Sequence, residues 1–176
     1  MKRTLFIVGA RGAGKTTIGK LLAEALSYKF VDTDESIQTA SQMSIATLVE
    51  HNGWEYFRKL ESQTLKTVSQ SEHVISTGGG MVLSPENRLY MQQNGIVIYL
   101  QASANILIKR LSLNPENSQR PSLTGKSIIE EIEGVLVERE PLYHECADLI
   151  VDASLATEDI VFNINSYILS QENKII

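Results

Sequence analysis

Cysteine is almost missing from this chain of 176 residues. Its single cysteine, Cys146, excludes an intrachain disulfide and any metal site built from several cysteines. Histidine is scarce as well: His51, His73 and His144 lie far apart, without ligand spacing, and read as surface or cap residues. Excess positive charge is lacking. The formal net charge is −5, so there is no basic footprint for nucleic acid, and a small-molecule substrate is expected. No stretch approaches the roughly 18 apolar residues of a membrane helix. Lys2-Arg3 and the apolar run after them begin like a secretory leader, but Arg11 and Lys15 end that run too soon after Ala10. The cytoplasm is the expected compartment. Internal repeats and low-complexity segments are absent, and only the residues from Gln171 onward look loose. A guanine-reading N-K-x-D motif is absent too, because Asn173-Lys174 is followed by Ile175-Ile176. That argues against a GTP-dependent switch.

What is present starts at residue 9. Gly9-Ala10-Arg11-Gly12-Ala13-Gly14-Lys15-Thr16 fits the phosphate-binding pattern G-x-x-x-x-G-K-[ST]. Thr4-Leu5-Phe6-Ile7-Val8 before it reads as a buried strand, and after it Ile18, Leu21, Leu22 and Leu26 fall on one helical face. Strand, glycine loop and helix are what the chemistry needs: glycines let backbone N–H groups close around phosphates, and the helix N-terminus adds a positive field. Gly12, Ala13, Gly14, Lys15, Thr16 and Thr17 are therefore the candidate nucleotide-binding residues. Lys15 would reach the β- and γ-phosphates, and the Thr16 hydroxyl would ligate Mg²⁺.

Apolar runs and turn chemistry then alternate in a βαβα order. Strands are expected at 4–8, 28–31, 73–77, 96–100 and 149–152. Helices are expected at 17–26, 35–50, 54–69, 85–94, 104–113, 128–139 and 157–169. Asn52-Gly53 would separate the second helix from the third, and Pro141 would end the sixth soon after Arg139. Strands separated by helices imply a parallel sheet covered on both faces. The expected fold is α/β, a P-loop NTPase-type three-layer sandwich with a five-stranded parallel sheet, like the nucleoside monophosphate kinases. One domain would span 1–176, with a substrate-binding helical segment at about 33–61 and a lid at about 112–126.

Ligands of such a sheet lie beyond the carboxyl ends of its strands, where three polar clusters converge: the phosphate loop, Asp32-Thr33-Asp34, and Gly78-Gly79-Gly80. Of the two aspartates, one could hold a water of the Mg²⁺ shell and the other accept a proton from an attacking hydroxyl. A helix cap followed by a solvated acid is the bland alternative. The third strand ends in Ser76-Thr77, without the usual acidic metal residue, so Asp32 is the candidate for that work. Arg58 and Glu61 share a helix face; they are either a surface ion pair or an acid orienting an arginine toward a substrate carboxylate, with Trp54 as a wall. Three glycines after a buried strand allow a ligand close to the backbone. Arg120 lies in a polar segment without periodicity, where it could reach the transferred phosphoryl group. Arg139 ends a helix, and Arg110 could cover a nucleotide base; each is by default an ordinary surface cation.

Taken together, the phosphate loop, Asp32-Thr33-Asp34, the run Gly53-Trp54-Glu55-Tyr56-Phe57-Arg58-Lys59-Leu60-Glu61, Ser76-Thr77-Gly78-Gly79-Gly80, Arg120-Pro121 and Glu138-Arg139 resemble the shikimate kinase family over essentially the whole chain. Ser41-Gln42-Met43-Ser44 and Gln92-Gln93-Asn94-Gly95-Ile96-Val97 most resemble its type II enterobacterial branch. The resemblance implies ATP and shikimate as substrates, one Mg²⁺ ion at Thr16 and Asp32, and a monomer. It implies Asp34 at the shikimate hydroxyls, and Arg58, Arg139 and Gly79 around shikimate. Gly78 and Gly80 join that set as neighbours in the turn. It further implies Arg120 as a lid arginine facing ATP and Arg110 near the adenine, with Lys15, Asp34 and Arg120 as the catalytic residues. The loop after the last strand, Val151 to Thr157, lacks the proline that family members often carry there. The rival enzyme reading is a kinase of gluconate or of a nucleoside monophosphate. The rival from another class is a nucleotide-dependent switch.

Overall fold

The computed structural model describes residues 3–113 and 128–173. Five strands form one sheet: β1 (Thr4–Val8), β2 (Lys29–Asp32), β3 (His73–Ser76), β4 (Gly95–Gln101) and β5 (Leu149–Asp152). Their spatial order is β2-β3-β1-β4-β5, and every neighbouring pair is parallel, with Ile7 opposite both Ser76 and Ile98. The helices are α1 (Lys15–Leu26), α2 (Thr33–Ser41), α3 (Ile45–Val68), α4 (Pro85–Asn94), α5 (Ala104–Leu113), α6 (Ile128–Cys146) and α7 (Thr157–Asn173). A short 3-10 turn spans Met81–Leu83. Among the described residues no helix is long and apolar enough to cross a membrane.

The central strands are apolar throughout because helices cover both faces. Leu5 and Ile7 of β1, with Ile96, Ile98 and Leu100 of β4, pack with residues of α1, α5 and α7. The alternating residues Phe6, Val8, Val97 and Tyr99 pack on the other face with residues of α3, α4 and the end of α6. Each large apolar side chain buried there stabilises the fold by about 1.5–3 kcal/mol. Helix α6 belongs to both cores: Ile132 and Leu136 enter the first, Tyr143 and Cys146 the second. A smaller cluster of Ile37, Ile45, Leu48 and Phe57 fastens α2 to α3. The three-layer α/β sandwich expected from the sequence is what forms.

Several expected boundaries move. The helix expected over 35–50 is two helices. Helix α2 stops at Ser41, Gln42 takes a left-handed φ of 55°, and Ser44 caps a new start by accepting from the Thr47 N–H at 3.1 Å. Asn52-Gly53 does separate two helical stretches, as expected: Gly53 is non-helical at φ 80°, ψ 167°, and α3 is two helices joined across a kink there. Pro141 does not end α6. It sits inside the helix and forfeits one bond, to the carbonyl of Val137, whose side chain is 80% exposed. Helix α1 starts at Lys15 rather than residue 17, and α7 runs past Gln171 to Asn173.

Candidate active site

The phosphate loop links β1 to α1 through Gly9, Gly12 and Gly14, at φ values of 147°, 85° and 96°. Residues with a Cβ rarely adopt such angles. Gly14 is the N-cap of α1, where no side chain caps the helix and no acid occupies its first turn. The first N–H groups of α1 thus open onto the cleft as anion donors. The Lys15 ammonium donates to the carbonyls of Gly9 at 2.8 Å and Ala10 at 3.0 Å. It is held at the mouth of the same helix.

This loop lines a cleft of about 760 Å³ together with Asp32, Asp34, Thr77, Gly79, Arg110, Ala153 and Leu155. Arg110 is engaged in the wall. Its guanidinium donates to Ala13 at 3.1 Å and to Ala153 at 2.6 Å, and so ties the phosphate loop to the turn after β5. In that turn the Ser154 N–H donates to the Asp152 carboxylate at 2.8 Å, which gives the loop its shape without a proline.

Asp32 joins the two readings its sequence position left open. One carboxylate oxygen accepts from the N–H groups of Asp34 and Glu35 at 3.0 and 3.3 Å, capping α2. The other accepts from the Thr16 hydroxyl at 3.0 Å. Two hard oxygens on the cleft wall suit a small divalent ion that draws the rest of its shell from phosphate and water, as Mg²⁺ does. Among the described residues no three His, Cys, Asp or Glu side chains group into a metal site of their own.

A second cavity, of about 90 Å³, adjoins the first and shares Arg11, Ile45, Gly79 and Leu111 with it. Trp54, Phe57, Arg58, Gly80 and Arg139 complete much of its wall. Arg58 forms an ion pair with Glu61, one helical turn on, and lies 5.2 Å from the Trp54 ring centre and 5.7 Å from that of Phe57. Burial pushes the Glu61 carboxyl up from the usual carboxylate range, against the pull of Arg58 and, less strongly, of Arg139. Arg139 is only 7% exposed, and its Nε has no hydrogen-bond partner among the described residues. Burial also lowers the Arg11 guanidinium, with Glu131 opposing.

The glycine turn connects the cavities. The Gly78 N–H donates to the buried Thr33 hydroxyl at 3.0 Å. A Cβ on Gly78 would meet a Glu61 carboxylate oxygen at 2.8 Å and one of Asp34 at 2.9 Å. A Cβ on Gly80 would collide with the Arg58 guanidinium. The structure thus brings together every expected site residue except Arg120, which lies outside the described residues with segment 114–127. Gly78 shapes the turn from behind and lines neither cavity. Sequence reasoning missed Thr33, Arg11 and Tyr143. Tyr143 falls one helical turn beyond Arg139, and that spacing was its available signal.

Comparison with known proteins bears on this geometry. A family model described as shikimate kinase matches residues 11–169. The shikimate kinase 2 of Photorhabdus laumondii is 61% identical over 170 residues, covering 97% of this chain and 98% of that protein. The shikimate kinase 2 of Yersinia enterocolitica is 54% identical over 172 residues, covering 98% of each. The structure of the Acinetobacter baumannii shikimate kinase in complex with shikimate superposes with a TM-score of 0.90 at 32% identity, over 97% of this chain and 95% of that one.

Proposed function

The chain belongs to the shikimate kinase family, and on that premise we propose that its two joined cavities divide the substrates between them. The enzyme is an ATP-dependent kinase of shikimate. It transfers the γ-phosphoryl group of ATP to the 3-hydroxyl, giving 3-phosphoshikimate and ADP on the way to aromatic amino acids. The large cleft takes ATP, with phosphates against Gly12, Ala13, Gly14, Lys15, Thr16 and Thr17, and the base toward Arg110. The small cavity takes shikimate. The observation that carries this reading is that two arginines, Arg58 and Arg139, line the small cavity, which meets the phosphate-loop cleft at Gly79. A paired-arginine pocket fits a carboxylate acceptor, whose planar anion matches the guanidinium forks.

Each residue then has a task. Arg58, clamped by Glu61, and Arg139 hold the carboxylate and set the ring's orientation. Asp34, in the first turn of α2 beside Gly78, holds the reacting hydroxyl and takes its proton. Lys15 and the N–H groups of the loop face the charge that develops on the transferred group. Thr16 and Asp32 would hold Mg²⁺, which when bound neutralises phosphate charge. Arg120 would add a cation to the phosphates. The protein works as a cytoplasmic monomer.

The test is a coupled ADP assay with shikimate, gluconate and nucleoside monophosphates as acceptors, with the product position assigned by NMR. Shikimate-dependent ADP release and phosphate at the 3-position are expected. Equal turnover with gluconate or a nucleotide would overturn the reading.

A further inference from the structure

A tyrosine that the chemistry above leaves out sits behind both the glycine turn and Arg139. Tyr143 is fully buried, yet its hydroxyl donates to the Gly79 carbonyl at 2.6 Å, across 64 positions in the chain. The Arg139 charge acts on the same hydroxyl. Residues 139 and 143 lie one turn apart on α6, so the two side chains share a face. The ring stacks on Tyr99, with centroids 4.9 Å apart and planes 24° apart, which fixes the direction of the hydroxyl. Phenylalanine would fill the same volume. The oxygen is there for its two contacts.

We propose that Tyr143 is a positioning residue for the acceptor: its hydroxyl locks the Gly79 peptide and the Arg139 guanidinium into one geometry, so that turn and carboxylate clamp bind shikimate as a unit. The inference rests on the reading that places shikimate between Gly79 and Arg139. Burial raises the phenol to about 12, so the hydroxyl keeps its proton and remains a donor at any working pH. That proton goes to Gly79, which leaves the oxygen lone pairs for Arg139. Removing the oxygen strands a buried carbonyl and loosens Arg139, which lines the small cavity and not the large cleft.

The experiment measures KM for both substrates in Tyr143→Phe, Arg139→Ala and Tyr99→Phe, with thermal unfolding as a fold check. Tyr99→Phe is the control, since the buried Tyr99 hydroxyl has no partner among the described residues. In Tyr143→Phe the shikimate KM should rise about ten-fold, the effect of one buried hydrogen bond, while the ATP KM stays within about two-fold. Tyr99→Phe should leave both constants alone. Replacing Tyr143 with 4-aminophenylalanine restores the donor to Gly79 but not the acceptor facing Arg139, and should recover the shikimate KM in part. Equal loss for both substrates, or an unchanged shikimate KM, would overturn the proposal. If Arg139→Ala also left the shikimate KM unchanged, the placement of shikimate would fail instead. Should Tyr143→Phe not fold, 3-fluorotyrosine at that position answers the question. Its fluorine resonance should move on saturation with shikimate and stay put with ADP, and no movement with shikimate would overturn the proposal.

Discussion

Lys15 does two jobs, and one substitution removes both. Its ammonium already donates to two loop carbonyls, Gly9 and Ala10, so it helps hold the loop's shape as well as supplying charge. Lys15→Met should therefore fold but lose nearly all phosphoryl transfer, about 10³-fold or more, because a preorganised charge is gone. Circular dichroism and single-turnover assays check this, and near-normal turnover by a folded variant would contradict the assignment. Glu61 gives a pH prediction whose two halves have opposite signs. Its pKa is raised by burial, so on acidification it loses its charge before an ordinary glutamate near about 4.3 would. Arg58 is then no longer clamped, and the shikimate KM should climb as pH falls through that raised value. Folding responds the other way. The native state holds the proton more tightly than the unfolded chain, so this group's contribution to stability is greatest in acid. It is lost as pH rises from the ordinary glutamate value through the raised one. Glu61→Gln should flatten both curves. A KM profile unchanged by that substitution would remove Glu61 from the clamp.

At the scale of elements, helix α3 shows what a single glycine can do. From sequence, Asn52-Gly53 reads as a helix break; in the fold, Gly53 is non-helical and joins two helical stretches across a kink. Its φ and ψ fall in a region open almost only to glycine, and a Cβ there would touch nothing within 4 Å. Gly53→Ala therefore tests backbone strain alone. It should cost about 1–3 kcal/mol, seen as a lower urea midpoint with an unchanged slope. A midpoint that did not move would mean the kink relaxes freely. The sheet was legible because β-branched and aliphatic runs between turn residues carry their own signature, and all five strands appear within a residue or so of expectation. The break at Gln42 was not, because the apolar spacing runs on through it: Ile37, Ile45 and Leu48 join one cluster although Gln42 between them takes a left-handed φ. Pro141 was misjudged because a proline inside a helix forfeits one bond, here to the Val137 carbonyl, and need not end the helix.

For the molecule as a whole, the two proposed ligand sites share Arg11, Ile45, Gly79 and Leu111, while Thr16 and Asp32, proposed to hold the metal, line the large cleft alone. Chelating Mg²⁺ should abolish turnover yet leave shikimate binding within about two-fold, as measured by calorimetry, since independent sites add. Loss of shikimate affinity on chelation would mean that the ion reaches the small cavity. The site residues were legible because motif residues cluster at strand ends, where a parallel sheet must gather them. The residues behind them were not, because Thr33 and Tyr143 act through partners 45 and 64 positions away. The glycine turn also bears on what laboratory evolution can reach. A side chain at Gly80 displaces Arg58, and one at Gly78 runs into Glu61 and Asp34. Every first step at those two positions passes through a variant in which Arg58, or Glu61 and Asp34, must shift. A search for new acceptors would do better to randomise Ile45, Trp54 and Phe57, which border the same cavity from the side.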